Sequence, residues 1–159
     1  LGNAMFLYEE DSAQTALNGT AQSLGLEKLT DEYGGVPAGR VAEQLKGGAY
    51  LELGQAEQAE KAFSKAAGGN AFLEAAALHG KGVALEQQQE FSKAAKAYAK
   101  AADAVETDQL SPYFLNHAAR CYLEAGDTDG ALSMYERLKK EYPRSQEGQN
   151  ADKYIARLN

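Results

Sequence analysis

The chain contains few side chains suited to acid–base or metal chemistry. Its only two histidines, His79 and His117, are 38 residues apart, and neither has an acidic residue at metal-ligand spacing within its own helix. A zinc centre needs three or four converging ligands. A nucleophile such as Ser111 or Ser133 needs a base beside it, and the sequence places none. We therefore expect no metal, no cofactor and no catalytic residue.

Two features leave other chemistry open. Glu86 and Glu124 could form a carboxylate pair across a groove, and such pairs serve in general acid–base catalysis, so an enzyme remains an alternative interpretation. Cys121 is the single cysteine and cannot form an internal disulfide. Because its neighbours are packing residues, we interpret it as a small buried hydrophobe, with a reactive thiol as the alternative.

Charge and hydropathy exclude some partners. The formal net charge of −7 argues against nucleic acid, which requires a basic surface. The charge is uneven: residues 1–35 carry one lysine against six acids, and residues 131–159 carry six basic residues against four acids. A head-to-tail contact could use this polarity, although a solvated surface is the simpler interpretation. No apolar run reaches the roughly 18 residues of a membrane helix, so we expect no direct membrane insertion.

One spacing occurs three times, starting at Gly47, Gly82 and Ala119, which are 35 and 37 residues apart. In each stretch a larger residue, a turn residue, an alanine and an aromatic residue follow at fixed intervals. These are Tyr50, Gly54, Ala59 and Phe63, then Leu85, Gln89, Ala94 and Tyr98, then Tyr122, Gly126, Ala131 and Tyr135. A unit of this length predicts two antiparallel helices that pack small residues against large ones and stack on the next unit.

The three stretches resemble tetratricopeptide repeats. The strings are GGAYLELGQAEQAEKAFSKA, GVALEQQQEFSKAAKAYAKA and ARCYLEAGDTDGALSMYERL, within residues 38–143. The resemblance implies an all-α, right-handed superhelix of about nine helices that binds proteins without catalysis; an ordinary helical bundle is the alternative. Glu43, Leu78 and Leu115 depart from the pattern, because such repeats often carry a large aromatic residue there. Gln89 replaces a turn glycine, so we expect a strained or solvent-stabilised turn.

We predict one domain of five parts. Residues 1–36 form a degenerate leading repeat, residues 38–70, 71–108 and 111–143 form three repeats, and residues 145–159 form a capping helix. The leading repeat should point four apolar residues inward, namely Leu24, Leu26, Leu29 and Tyr33. A second internal similarity matches Glu32, Tyr33, Gly39 and Ala42 with Glu141, Tyr142, Gly148 and Ala151. It predicts that the chain enters a new helix in the same way at both places.

In stacked helix pairs the first helices line the concave side, so we predict a groove there that binds a peptide or protein. The predicted groove residues are Gln44, Leu51, Glu52, His79, Glu86, Tyr113, Asn116, His117, Arg120 and Glu124. Arg120 should contribute most, because interface hot spots favour arginine and aromatic residues. The alternative is a structural domain that self-associates through its leading repeat, as a homodimer burying Phe6, Leu7 and Leu17.

Two comparisons within the family refine this expectation. The chain resembles bacterial, membrane-anchored, periplasm-facing tetratricopeptide proteins that act in protein export or envelope assembly. That resemblance implies a periplasmic location and an anchor before Leu1. Other family members clamp the acidic tail of heat-shock chaperones with Lys and Asn. The matching positions hold Gln44, Gly48, Gly80, Tyr113 and His117, so an acidic C-terminal tail is not the expected ligand.

Overall fold

The computed structural model describes residues 13–158, and these form nine α-helices with one isolated bridge between Gly19 and Leu24 and no strand. The helices are α1 (Ala13–Asn18), α2 (Leu26–Tyr33), α3 (Pro37–Glu52), α4 (Ala56–Ala66), α5 (Ala71–Gln87), α6 (Phe91–Val105), α7 (Ser111–Glu124), α8 (Thr128–Glu141) and α9 (Gln146–Leu158). The all-α prediction is confirmed. No helix within this described range is long and apolar enough to cross a membrane.

The helices pack in the order in which they follow one another along the chain. From α3 onward, each helix packs chiefly against its predecessor and its successor. Smaller contacts join alternate helices, namely α1 with α3, α3 with α5 and α7 with α9. Contacts limited to near neighbours are typical of stacked hairpins, whereas a closed bundle would bring distant helices together. The fold is therefore a helical-repeat superhelix.

Aromatic rings of the second helices lie against glycines of the first helices. A Cβ added to Gly47 would lie 2.8 Å from the Phe63 ring, and one added to Gly82 would lie 2.7 Å from the Tyr98 ring. The Phe63 ring also lies against Gly80 of the following unit. These contacts leave no room for a side chain, so the small residues set the close approach of the helices, as their spacing predicts.

The turn between the two helices of each unit has the same backbone conformation. Gly54, Gln89 and Gly126 have positive φ values of 69°, 60° and 74°. Glycine adopts this conformation without a steric cost, whereas a side chain disfavours it. The strained turn expected at Gln89 is therefore present, and its exposed side chain faces solvent.

The second internal similarity is also confirmed. Gly39 and Gly148 are buried, and a Cβ at either position would collide with the carbonyl oxygen of the preceding tyrosine, Tyr33 or Tyr142. Backbone atoms occupy the space at both sites. The chain thus enters α3 and α9 through the same close approach, which only glycine permits.

The leading unit differs partly from its prediction. Leu26 is buried and Leu29 packs against the same cluster, but Leu24 and Tyr33 are 45% and 52% exposed, so the expectation that they point inward is wrong. Leu24 precedes the N-cap of α2, Gly25, and Tyr33 is the last residue of that helix. Neither therefore lies on its packed face. The predicted parts within residues 1–12, including Phe6 and Leu7, lie outside the described residues.

A buried charge network joins α2, α3 and α4. Lys46 Nζ lies 3.1 Å from Glu27 and 3.8 Å from Glu43, and it donates a hydrogen bond to Thr30. Glu43 also faces Lys65, at 3.9 Å. Burial raises the pKa of Glu43 above its ordinary value, while Lys46 and Lys65 oppose that shift. A charged residue thus occupies the position where similar repeats carry a large aromatic side chain.

Candidate functional site

The three predicted groove residues on α3 differ in their surroundings. The side-chain amide of Gln44 donates a 2.8 Å hydrogen bond to the carbonyl oxygen of Leu73, which ties α3 to the start of α5. Leu51 packs against the buried cluster around Phe63, whereas Glu52 is exposed. Gln44 and Leu51 therefore support packing between the units.

Three predicted groove residues, His79 of α5 and Tyr113 and His117 of α7, meet in a group of rings. We call this group the histidine cluster, and it also contains Tyr98 of α6 and Phe114 of α7. The His117 centroid lies 4.4 Å from that of Tyr113 and 5.2 Å from that of Tyr98. The His79 centroid lies 6.4 Å from that of His117, with the rings edge to face. Tyr113 is 41% exposed. The cluster thus consists of closely packed rings, one of which, Tyr113, is accessible to solvent.

Glu86 lies beside this cluster. The buried Tyr98 hydroxyl donates a hydrogen bond to the Glu86 carboxylate. Burial raises the pKa of Tyr98, and the bond to Glu86 raises it further. The Glu86 charge also acts on both histidines. It therefore provides a fixed negative charge at a surface made otherwise of neutral rings.

Both histidines are disfavoured as cations. Burial and the neighbouring His117 lower the pKa of His79 below its ordinary value of 6.5, and Glu86 only partly opposes this. Burial also lowers the pKa of His117, with Arg120 lowering it further. Both rings are therefore neutral at pH 7, so each offers one hydrogen-bond donor and one acceptor. The Tyr113 hydroxyl lies 3.5 Å from His79 Nε2.

The remaining predicted residues of α7 line a cavity that we call the α7–α9 pocket, with a volume of about 500 Å³. Its lining residues are Asn116, Arg120, Leu123, Glu124, Tyr135, Tyr154, Arg157 and Leu158. At one wall the rings of Tyr135 and Tyr154 stack, with centroids 4.8 Å apart and planes 16° from parallel. The pocket therefore offers aromatic surface next to charged groups.

Cys121 is buried beside Tyr98 of the histidine cluster. The side chain is 2% exposed and packs with Leu85, Ala94 and Tyr98. Burial raises the pKa of its thiol to about 12, with Glu86 adding to the shift. A thiol with this pKa is a poor nucleophile at neutral pH, which agrees with its interpretation as a buried hydrophobe.

The sequence did not identify every residue of these surfaces. Tyr98 was predicted as a packing residue, yet its hydroxyl binds Glu86. Tyr154, Arg157 and Leu158 were assigned to a capping helix, yet they line the α7–α9 pocket. Their i, i+3 and i+4 spacing places them on one helical face, a signal that could have indicated a shared surface.

Within residues 13–158, no three or more His, Cys, Asp or Glu side chains lie close enough together to hold a metal ion.

Comparison with known families agrees with the architecture. Two family models, both described as tetratricopeptide repeat, match residues 45–109 and 117–145. The chain belongs to the tetratricopeptide-repeat proteins, a class of helical-repeat protein–protein interaction modules that is generally non-catalytic. No curated protein and no solved structure matches the chain. Membership of this family thus indicates a role in protein–protein interaction. The kind of ligand has to be inferred from the side chains described above.

Proposed function

We propose that the chain is a non-catalytic adaptor or scaffold that binds an extended peptide or a protein segment along the first helices α3, α5 and α7. The observation that carries this proposal is the histidine cluster, where Tyr113 is 41% exposed above the packed rings of His79 and His117. An exposed aromatic side chain that packed neighbours hold in place is typical of interface hot spots.

The polar groups beside the cluster support a peptide as the ligand. Neutral His79 and His117 can each donate and accept one hydrogen bond, and Asn116 can do both. Glu86 and Glu124 accept only. A peptide backbone presents alternating N–H and C=O groups, so a mixed set of donors and acceptors suits it better than a surface of one charge.

The test uses a matched pair of tyrosines. Peptides selected from a random display library against the folded chain are synthesised, and their Kd values are measured by fluorescence anisotropy. Tyr113→Ala should weaken binding at least about fivefold, since truncating a hot-spot residue costs more than about 1 kcal/mol. Tyr33→Ala removes a tyrosine that is similarly exposed, at 52%, at the end of α2, and should leave Kd unchanged. Equal Kd values for Tyr113→Ala and the wild type would contradict binding at the cluster.

Self-association is a second candidate, and one observation favours it. Leu24, Tyr33 and Val36 are all more than 40% exposed and belong to the leading unit or its junction with α3. Leu17, by contrast, is 2% exposed within its own chain, so it offers no surface to a second copy. Sedimentation velocity over a wide concentration range distinguishes the candidates: self-association predicts a dimer that Val36→Glu disrupts.

We also propose that the chain belongs to the bacterial, periplasm-facing, membrane-anchored group within the family. Two features support this placement: the degenerate leading repeat, and the tyrosine followed by a glycine at which the chain enters α3 and α9. The helix bounds given above support the division at residues 36, 70, 108 and 143. Fractionation of cells that express the full-length protein tests the location.

A further inference from the structure

The α7–α9 pocket carries two arginines that have no ionic partner among the described residues. Arg120 extends from α7 and Arg157 from α9, and no carboxylate of residues 13–158 lies within 4.0 Å of either guanidinium. Arg137 shows the contrast, because it pairs with Asp103 and Glu141. Two unpaired guanidinium groups that line one cavity favour an anionic ligand there.

The hydroxyl group of Tyr135 supports this assignment. Tyr135 is 2% exposed and lines the pocket, and its hydroxyl makes no hydrogen bond to any residue of the described range. Arg120 lies close enough to oppose the rise that burial gives to the pKa of Tyr135. A ligand oxygen near Arg120 would therefore gain a neutral donor as well as a charged one.

The rest of the lining limits the kind of anion. Glu124 contributes one negative charge to the pocket, so its side chains carry a net charge of one positive unit. That charge complements a single carboxylate and disfavours a phosphate dianion or a nucleic acid backbone. The stacked Tyr135 and Tyr154, with Leu123 and Leu158, supply an apolar wall. The pocket thus suits a carboxylate that lies next to an apolar side chain.

We propose that the α7–α9 pocket binds an internal Asp or Glu side chain of a bound peptide, with a neighbouring aromatic or leucine side chain against Tyr154. This inference rests on the proposed function and specifies its ligand. The cavity volume of about 500 Å³ suits two side chains rather than a whole folded surface. A terminal carboxylate is the less suitable source, because Asn116 and Glu124 can bind the backbone on either side of an internal residue.

The test is a double-mutant cycle on a peptide with no free terminal carboxylate. Peptides are selected from a library whose C-terminus is fused to the display protein, then synthesised with an acetylated N-terminus and an amidated C-terminus. We expect the selected sequences to be enriched in Asp or Glu beside Phe, Tyr or Leu. Changing that acid to its amide should weaken binding to the wild type about tenfold or more, since charge-assisted hydrogen bonds are lost.

The cycle is completed with Arg120→Gln and Arg157→Gln, alone and together. In the double variant, changing the peptide acid to its amide should alter Kd by less than about twofold, because the two changes remove the same interaction. Lys153→Gln is the control, since it removes an exposed positive charge from α9 outside the pocket lining. It should keep the full sensitivity to the peptide acid. Circular dichroism establishes that each variant is folded.

The outcomes separate this inference from the proposed function. If selected peptides lose affinity with Tyr113→Ala but respond to the acid-to-amide change equally in the wild type and the arginine variants, the cluster binds peptides and the pocket assignment is wrong. If this library yields no binding peptide but a second library that presents free C-termini does, the ligand is a terminal carboxylate and the internal acid is wrong. If neither library yields a peptide that binds the wild type, both the proposed function and this inference fail.

Discussion

Gly148, at the start of α9, provides a direct test of the packing that holds the last helix. In Gly148→Ala the new Cβ would collide with the carbonyl oxygen of Tyr142, and it would lie 2.8 Å from the Tyr142 carbonyl carbon and 3.0 Å from the Leu138 carbonyl oxygen. All of these are backbone atoms. The collision therefore cannot be relieved by turning a side chain, and α9 has to shift.

The expected change in the free energy of unfolding is the balance of two opposing effects. Overpacking against a rigid neighbour destabilises by about 3 kcal/mol, the upper part of the usual range. The better helix propensity of alanine offsets about 1 kcal/mol of this. The net loss of about 2 kcal/mol should lower Tm by about 4–8 °C for a chain of this length.

Thermal unfolding followed by circular dichroism measures the loss of global stability. Amide hydrogen exchange shows whether that loss is concentrated in α9. Gly35→Ala is the matched control, since a Cβ there meets nothing within 4 Å; its stability should stay within about 0.5 kcal/mol of the wild type. An unchanged Tm for Gly148→Ala, with full amide protection in α9, would refute the close approach. Because Gly39 lies against the Tyr33 carbonyl group in the same way, Gly39→Ala should lose a comparable amount of stability.

Three further predictions concern buried groups. Lys46→Ala leaves Glu43 buried without its nearest cation and should destabilise by about 3 kcal/mol in urea unfolding; an unchanged midpoint would show that the network contributes nothing. Because the pKa values of His79 and His117 are lowered, their neutral forms stabilise the fold above pH 6.5, and this stability is lost as the pH falls through the folded pKa values. His79→Gln should therefore lose less stability than the wild type between about pH 7.5 and about pH 5, and an equal loss would contradict the assignment. With its pKa raised to about 12, Cys121 should react with a disulfide reagent about a hundredfold more slowly in the folded chain than in urea; equal rates would show an accessible thiolate.

The residue types and their spacing determined the fold. Small residues such as Gly47 and Gly82 recur at fixed distances from aromatic residues, and in a helix such distances fix which side chains share a face. Turn glycines such as Gly54 indicate where one helix ends. These are local properties of the chain, so the helical-repeat fold, the all-α class and the buried position of Cys121 followed from the sequence.

The tertiary structure decided which side chains meet. Glu86 and Tyr98 lie on different helices, and their hydrogen bond depends on how α5 packs against α6. Arg120 and Arg157 are 37 residues apart and line one pocket only because α9 packs against α8 and contacts α7. Tyr33 and Leu24 became exposed because α2 is short and begins only after Gly25. Helical periodicity gives the face of each helix, whereas the neighbour that the face meets is set by packing between units.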